Sequence, residues 1–185
     1  MNELSLYILD LVQNSIRAGA KLVEITIRFD TAKDLLVIEI RDDGCGMDAE
    51  LLSRVTSPFT TTRTTRKVGL GLPMIKQQCE MTGGEFFIES APGKGTLLKL
   101  SFTASHMDLP PMGDMSGTMV SLITAASEET DYVLRYVRDD NEFEFDTRQI
   151  KETLGSDVPL STPEVLSWIG DYINEGIDEV SHNQP

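Results

Sequence analysis

The chain has 185 residues, 40% of them hydrophobic, which suits one domain, or one domain with an appendage, around a real core. A net charge of −14 argues against a nucleic-acid-binding surface, and no apolar run approaches the length of a membrane span. The two cysteines, Cys45 and Cys79, form no CxxC pair that would suggest zinc or a disulfide framework. The acidic start "MNELSLYILD" has no signal-peptide pattern, so a reducing cytoplasm is the expected setting. The charge is uneven. Residues 1–104 carry 13 acidic and 12 basic side chains, whereas residues 105–185 carry 17 and 4. The acidic half is either a solvated face or a docking surface for a basic partner.

Residues 4–18 have helical periodicity, with Leu4, Ile8, Leu11, Val12 and Ile16 on one broad side and Gly19 as C-cap. Two alternating runs, 23–29 and 35–40, flank "DTAKD" and predict an antiparallel hairpin. The loop "RDDGCGMD" (41–48) leads into a short helix around 48–55, with Asp48 as N-cap. Residues 56–68 are polar, basic and threonine-rich, and read as a loop. "GLGLPMIKQQCEMTGG" (69–84) is a glycine turn entering a helix that Gly83 or Gly84 stops, and "EFFIES" and "TLLKLSF" are strands joined by "APGKG". This order predicts an α+β two-layer sandwich, a mixed sheet covered on one face by helices.

Residues 105–118 form a connector rich in Pro, Gly and Met. Its Met107, Met112 and Met115, with Met119, suit packing beneath the last strands or an adaptable docking surface. Beyond it, "MVSLIT" (119–124), 132–137 and 142–147 suggest three more strands, and 147–154 a short helix. A final helix spans 162–180, with Thr162 as cap, Pro163 at the first position and Glu164 after it. Its Trp168 and Ile169 are core contacts or a partner face. The expected division is a first domain over 1–104 and an acidic C-terminal β/α extension over 105–185, packed on it.

Three segments carry candidate chemistry. At roughly 100° per residue, Asp10, Asn14 and Arg17 fall on one narrow stripe of the first helix, opposite its apolar side. That stripe is either solvated or a site in which Asn14 holds a metal ion, Arg17 meets a phosphate and Asp10 orients water. Gly69 and Gly71 stand at a helix start, where exposed N–H groups favour an anion, just after Arg63, Arg66 and Lys67. This basic loop is either a surface loop or a lid over a polyphosphate. The turn "APGKGT" adds Thr96 at the start of a strand.

Together, "DLVQNSIRAGA" (10–20), "DDGCG" (42–46), "GLGL" (69–72) and "GKGT" (93–96) closely resemble, in order, the boxes of the GHKL ATPases. This superfamily includes gyrase B subunits, heat-shock chaperones, histidine kinases and mismatch-repair ATPases. "SPFTTTR" looks like the phenylalanine box of histidine kinases. The resemblance spans residues 1–104 and implies a Bergerat-type ATP-binding fold. It implies that Asp42 accepts from the adenine amino group, that Gly44 and Gly46 let the backbone pass close to the base, and that Thr96 assists. It implies that Asn14 coordinates Mg²⁺, that Gly69 and Gly71 offer N–H groups to phosphates, and that Arg17 and Lys67 add positive charge.

One position departs from the hydrolysing branches, whose usual general base is a Glu four residues before the Asn. Here it is Asp10, one methylene shorter and the candidate base. A short base suits slow hydrolysis or transfer of phosphate. The histidines, His106 and His182, lie in no helix patterned like a kinase phospho-acceptor. The layout implied is a free-standing module similar to the anti-sigma-factor kinases. It would bind ATP and Mg²⁺ as an ATPase or protein kinase acting on an unidentified regulatory protein, without nucleic acid or membrane; a homodimer stays open. The alternative is a non-catalytic switch whose lid is ordered by nucleotide.

Overall fold

The alternating runs of the sequence meet as neighbouring strands, and their apolar sides fall on one face of one sheet. The computed structural model describes residues 3–57, 71–155 and 157–182. Its elements in chain order are α1 (Leu4–Arg17), β1 (Leu22–Asp30), β2 (Leu35–Asp42), α2 (Ala49–Val55), α3 (Gly71–Met81), β3 (Phe86–Ala91), β4 (Gly95–Thr103), α4 (Met115–Ala125), β5 (Asp131–Arg138), β6 (Asn141–Asp146), α5 (Thr147–Leu154) and α6 (Pro163–His182).

The sheet has six strands in the order β3-β4-β2-β1-β5-β6. Every neighbouring pair is antiparallel except β1 and β5, which run parallel. The sheet is therefore mixed, as the sequence predicts. Register puts Ile25 of β1 between Ile40 of β2 and Leu134 of β5, and Leu134 in turn beside Phe145 of β6. All of these side chains are buried. The helices α3, α1, α4 and α6 contact one another or the sheet in that lateral order. The fold is the expected α+β sandwich.

The apolar side of α1 packs as its periodicity predicts, with Leu4, Ile8, Leu11 and Val12 buried. Asp48 caps α2, its Oδ1 accepting from Leu51 N at 2.8 Å. The C-terminal half adds β5, β6 and the α4–α6 layer to the same sheet. Within it α6 lays Ile169, Ile173 and Val180 into the core, while Trp168 stays half-exposed and stacks on Tyr172 at 5.1 Å.

One expectation is corrected. "MVSLIT" is part of α4, not a strand, so the C-terminal half has two strands rather than three. Its β-branched, apolar run mimics a buried strand, but Asp114 caps a helix by accepting from Gly117 N at 2.8 Å, and Met115, Met119, Leu122 and Ile123 repeat at helical spacing. Met115 and Met119 are thus core residues, whereas Met107 is almost fully exposed. Thr162 stands just before α6 as expected, its carbonyl accepting from Leu166 N at 2.9 Å and its hydroxyl donating to the Pro159 carbonyl at 2.7 Å. Among the described residues no helix is long and apolar enough to cross a membrane.

Because both halves fill one sheet, Leu134→Ala should destabilise as strongly as Ile25→Ala, each by about 2–4 kcal/mol. Chemical denaturation should show one transition in both variants; two separate transitions would show that the halves unfold independently.

Candidate functional site

A cavity of about 710 Å³ opens between α1, the sheet and α2. This volume lies in the range of small-molecule and cofactor sites. Its floor follows from strand register. Ile88 of β3, Leu98 of β4 and Ile40 of β2 stand side by side and all line it. Two residues along each strand, on the same face, is a polar row, Ser90–Thr96–Asp42. Asp10, Asn14 and Arg17 of α1 form one wall, and Met47, Leu51 and Val55 contribute the other. The α1 stripe inferred from periodicity therefore faces the cavity.

Asp42 is 8% exposed. Its Oδ2 accepts from Ser15 Oγ at 2.6 Å and its Oδ1 from Gly44 N at 2.9 Å. The side chain is held from two sides at the cavity wall. Asp43 points away. Its Oδ1 accepts from Lys21 N at 2.7 Å and Leu22 N at 2.9 Å, tying the loop to the start of β1. The neighbouring aspartates thus have separate tasks. Asp43 is exposed, yet it anchors backbone rather than merely facing solvent.

The glycines of "DDGCG" serve packing against protein. A Cβ at Gly44 would meet Ala18 Cβ at 2.9 Å, where Cys45 N donates to Ala18 O. A Cβ at Gly46, at φ +67°, would run into the Ala91 carbonyl, and one at Gly95, at φ +76°, into the Asp42 carbonyl. The loop after β2 and the β3–β4 turn are therefore docked backbone to backbone, and Gly93 N donates to Cys45 O at 2.8 Å. Thr96 is directly opposite Asp42 and lines the cavity with it.

Asp10 lies against the first residue of α3, since a Cβ on Gly71 would strike its carboxylate. Arg17 Nη1 donates to Asn14 Oδ1 at 3.0 Å. The remaining sequence candidates, Lys67 and Gly69, lie outside the described residues, as do Arg63, Arg66 and the "SPFTTTR" segment from residue 58 on. Among the described residues no group of three or more His, Cys, Asp or Glu side chains is placed to hold a metal ion. Cys79 is buried in the core, its thiol pushed up to about 12 by desolvation, while Cys45 is exposed on the cavity wall.

Residues 2–106 match the family of Histidine kinase-, DNA gyrase B-, and HSP90-like ATPases. The chain belongs to this family of ATP-binding proteins. Among relatives of this ATPase family, the Non-motile and phage-resistance protein of Caulobacter vibrioides is 33% identical over 110 residues, 55% of this chain but 13% of that protein. Sporulation kinase C of Bacillus subtilis is 32% identical over 99 residues, 54% of this chain and 23% of that kinase. The chain thus spans less than a quarter of each of these relatives. The N-terminal domain of a DNA repair protein superposes with a TM-score of 0.52 at 14% identity, covering 84% of this chain and 58% of that one. That likeness is one of fold, and it extends past residue 106.

Two residues at the site escape sequence reasoning: Ser15 and Ser90. Ser15 is a buried polar residue beside Asn14, and a buried hydroxyl requires a partner, here Asp42. Ser90 lies opposite Thr96, visible only once register is known. Ser15→Ala removes a hydrogen bond to a carboxylate and should weaken ATP binding about tenfold, checked by titration with a fluorescent ATP analogue. Undiminished affinity would mean that Gly44 N alone holds Asp42.

Proposed function

We propose that the cavity binds Mg-ATP, with adenine at the Asp42–Thr96 end and the phosphates towards Asn14 and the start of α3, and that the phosphate is hydrolysed or passed to a regulatory partner protein. The observation that carries this reading is the buried, doubly held Asp42 at the end of an apolar floor, with Asn14 and Asp10 on the helix above. A carboxylate only accepts, so it suits an amino group and repels a ring carbonyl. Ile88, Leu98 and Ile40 offer the base an apolar bed.

The donors fit Mg²⁺. This hard cation uses few protein oxygens and completes its shell with phosphates and water. Asn14 Oδ1 is the proposed ligand, and the ion would supply charge neutralisation between phosphate oxygens. Arg17, which now donates to that oxygen, is free to turn to phosphate when Asn14 is engaged. Gly71, with Gly69 by the sequence motif, would offer backbone N–H groups, and Lys67 a further cation. Asp10, on the same wall and against α3, would hold a water and take its proton, a role its position beside Gly71 supports.

The phosphate acceptor is assigned to the partner. His106 and His182 are both engaged locally, His106 Nδ1 with Asp108 N at 3.2 Å and His182 Nδ1 with Asp178 O at 2.8 Å, and neither lines the cavity. A switch without chemistry is the second reading. One observation favours it: the connector holds the start of α1 through Leu4 N to Pro111 O at 2.9 Å and Ser5 N to Met112 O at 2.8 Å, so the helix bearing Asn14 is also gripped by the C-terminal half.

Asp42→Asn should lower ATP affinity about 10- to 100-fold in the presence of Mg²⁺; unchanged binding sinks the adenine assignment. Asp10→Asn should slow hydrolysis about 100-fold with binding intact, and equal turnover would remove Asp10 as base. Labelled ATP incubated with proteins captured on the ATP-loaded chain should label one of them. A nucleotide-dependent complex that stays unlabelled would support the switch.

A further inference from the structure

Ser90 does not line the cavity, yet its hydroxyl touches three groups around it. Met47 N donates to Ser90 Oγ at 2.9 Å, Ser90 Oγ donates to Gly95 O at 2.9 Å, and Ser90 Oγ and Thr96 Oγ1 stand 2.9 Å apart. A hydroxyl has one proton and two lone pairs. The Met47 N–H can only donate and the Gly95 carbonyl can only accept. The Ser90 proton therefore goes to Gly95, and one lone pair takes Met47. The lone pair left can only receive the proton of Thr96. Thr96 has no second proton, so towards the cavity it offers lone pairs alone.

Asp42, directly opposite Thr96, is in the same condition: its oxygens receive protons from Ser15 and Gly44 and have none to give. Two acceptor-only groups thus stand side by side at one end of the cavity. A planar ring amino group has two protons and can satisfy both. A ring carbonyl would meet lone pairs on each side. We propose that Ser90 is a specificity-determining positioning residue: by consuming the Thr96 proton it makes this end a two-acceptor receptor for a primary amino group, and so selects 6-aminopurine over 6-oxopurine nucleotides. This inference rests on the reading of the cavity as an ATP site.

The test compares ATP with inosine triphosphate, which has a carbonyl in place of the amino group, in competition against fluorescent ATP with Mg²⁺ present. In Ser90→Ala the Thr96 proton is released to face the ligand. Inosine triphosphate should then gain and ATP lose, narrowing the ratio of their affinities about tenfold. Ser90→Thr keeps the hydroxyl and should keep the ratio. In a Thr96→Val background, Ser90→Ala should change the ratio no further. If both nucleotides weaken equally in Ser90→Ala, Ser90 merely braces the hairpin and the proposal falls. The unaltered protein supplies an independent check should that variant not fold. A single methyl on the ATP amino group removes one proton and should cost affinity; equal binding of N6-methyl-ATP overturns the two-acceptor receptor. Failure of the unaltered protein to bind any nucleotide would instead overturn the reading of the cavity itself.

Discussion

The site depends on two pieces of backbone touching without side chains between them. The Gly46 backbone abuts the Ala91 carbonyl and the Gly95 backbone abuts the Asp42 carbonyl. Any Cβ at either glycine would force the β3–β4 turn away from the loop after β2. That contact sets Thr96 beside Asp42 and lets Ser90 reach Met47, Gly95 and Thr96 together. The polar end of the cavity is thus created by close packing of main chain, and its side chains inherit their positions from it. Glycine here is a steric requirement of the protein itself, met before a ligand arrives.

Helix α1 joins this rigid end to the rest of the molecule. One side of it is core, and the other presents Asp10, Asn14 and Arg17 to the cavity. Ser15, between the two, fastens the helix to Asp42. Its first turn is held by the connector carbonyls of Pro111 and Met112, and Thr118 Oγ1 of α4 approaches the Ser5 carbonyl at 3.4 Å. A displacement of α1 would therefore be felt at both ends of the chain, and the proposed phosphate end is the part of the cavity that α1 controls most directly.

Much of this was legible in the sequence because strong periodicity encodes it. The α1 stripe, the β1–β2 hairpin and the α2 cap each follow from local pattern, and the α1 stripe does face the cavity. What escaped depends on partners distant in sequence. "MVSLIT" reads as a strand because a short run of β-branched and apolar residues suits either element, and the decisive cap, Asp114, stands outside the run. The resemblance gives Gly44 and Gly46 a place beside the base, and the structure adds a demand of the protein itself, since Ala18 and Ala91 leave no room for a Cβ at either position. Ser90 was invisible because its meaning lies in the strand pairing of β3 with β4, which no local pattern specifies.

The parallel pairing of β1 with β5 has a consequence for how the two halves can have been combined. From Leu22 to Phe29 every residue of β1 has a neighbour on β5, although β5 begins only at Asp131. Cutting the chain after Thr103 would turn β1 from an inner strand into a bare edge, with its ladder groups open to another chain. The C-terminal half thus covers what would otherwise be an edge of the first half's sheet. Shortening it would also release the grip of Pro111 and Met112 on the start of α1, and so reach the cavity wall that this helix forms.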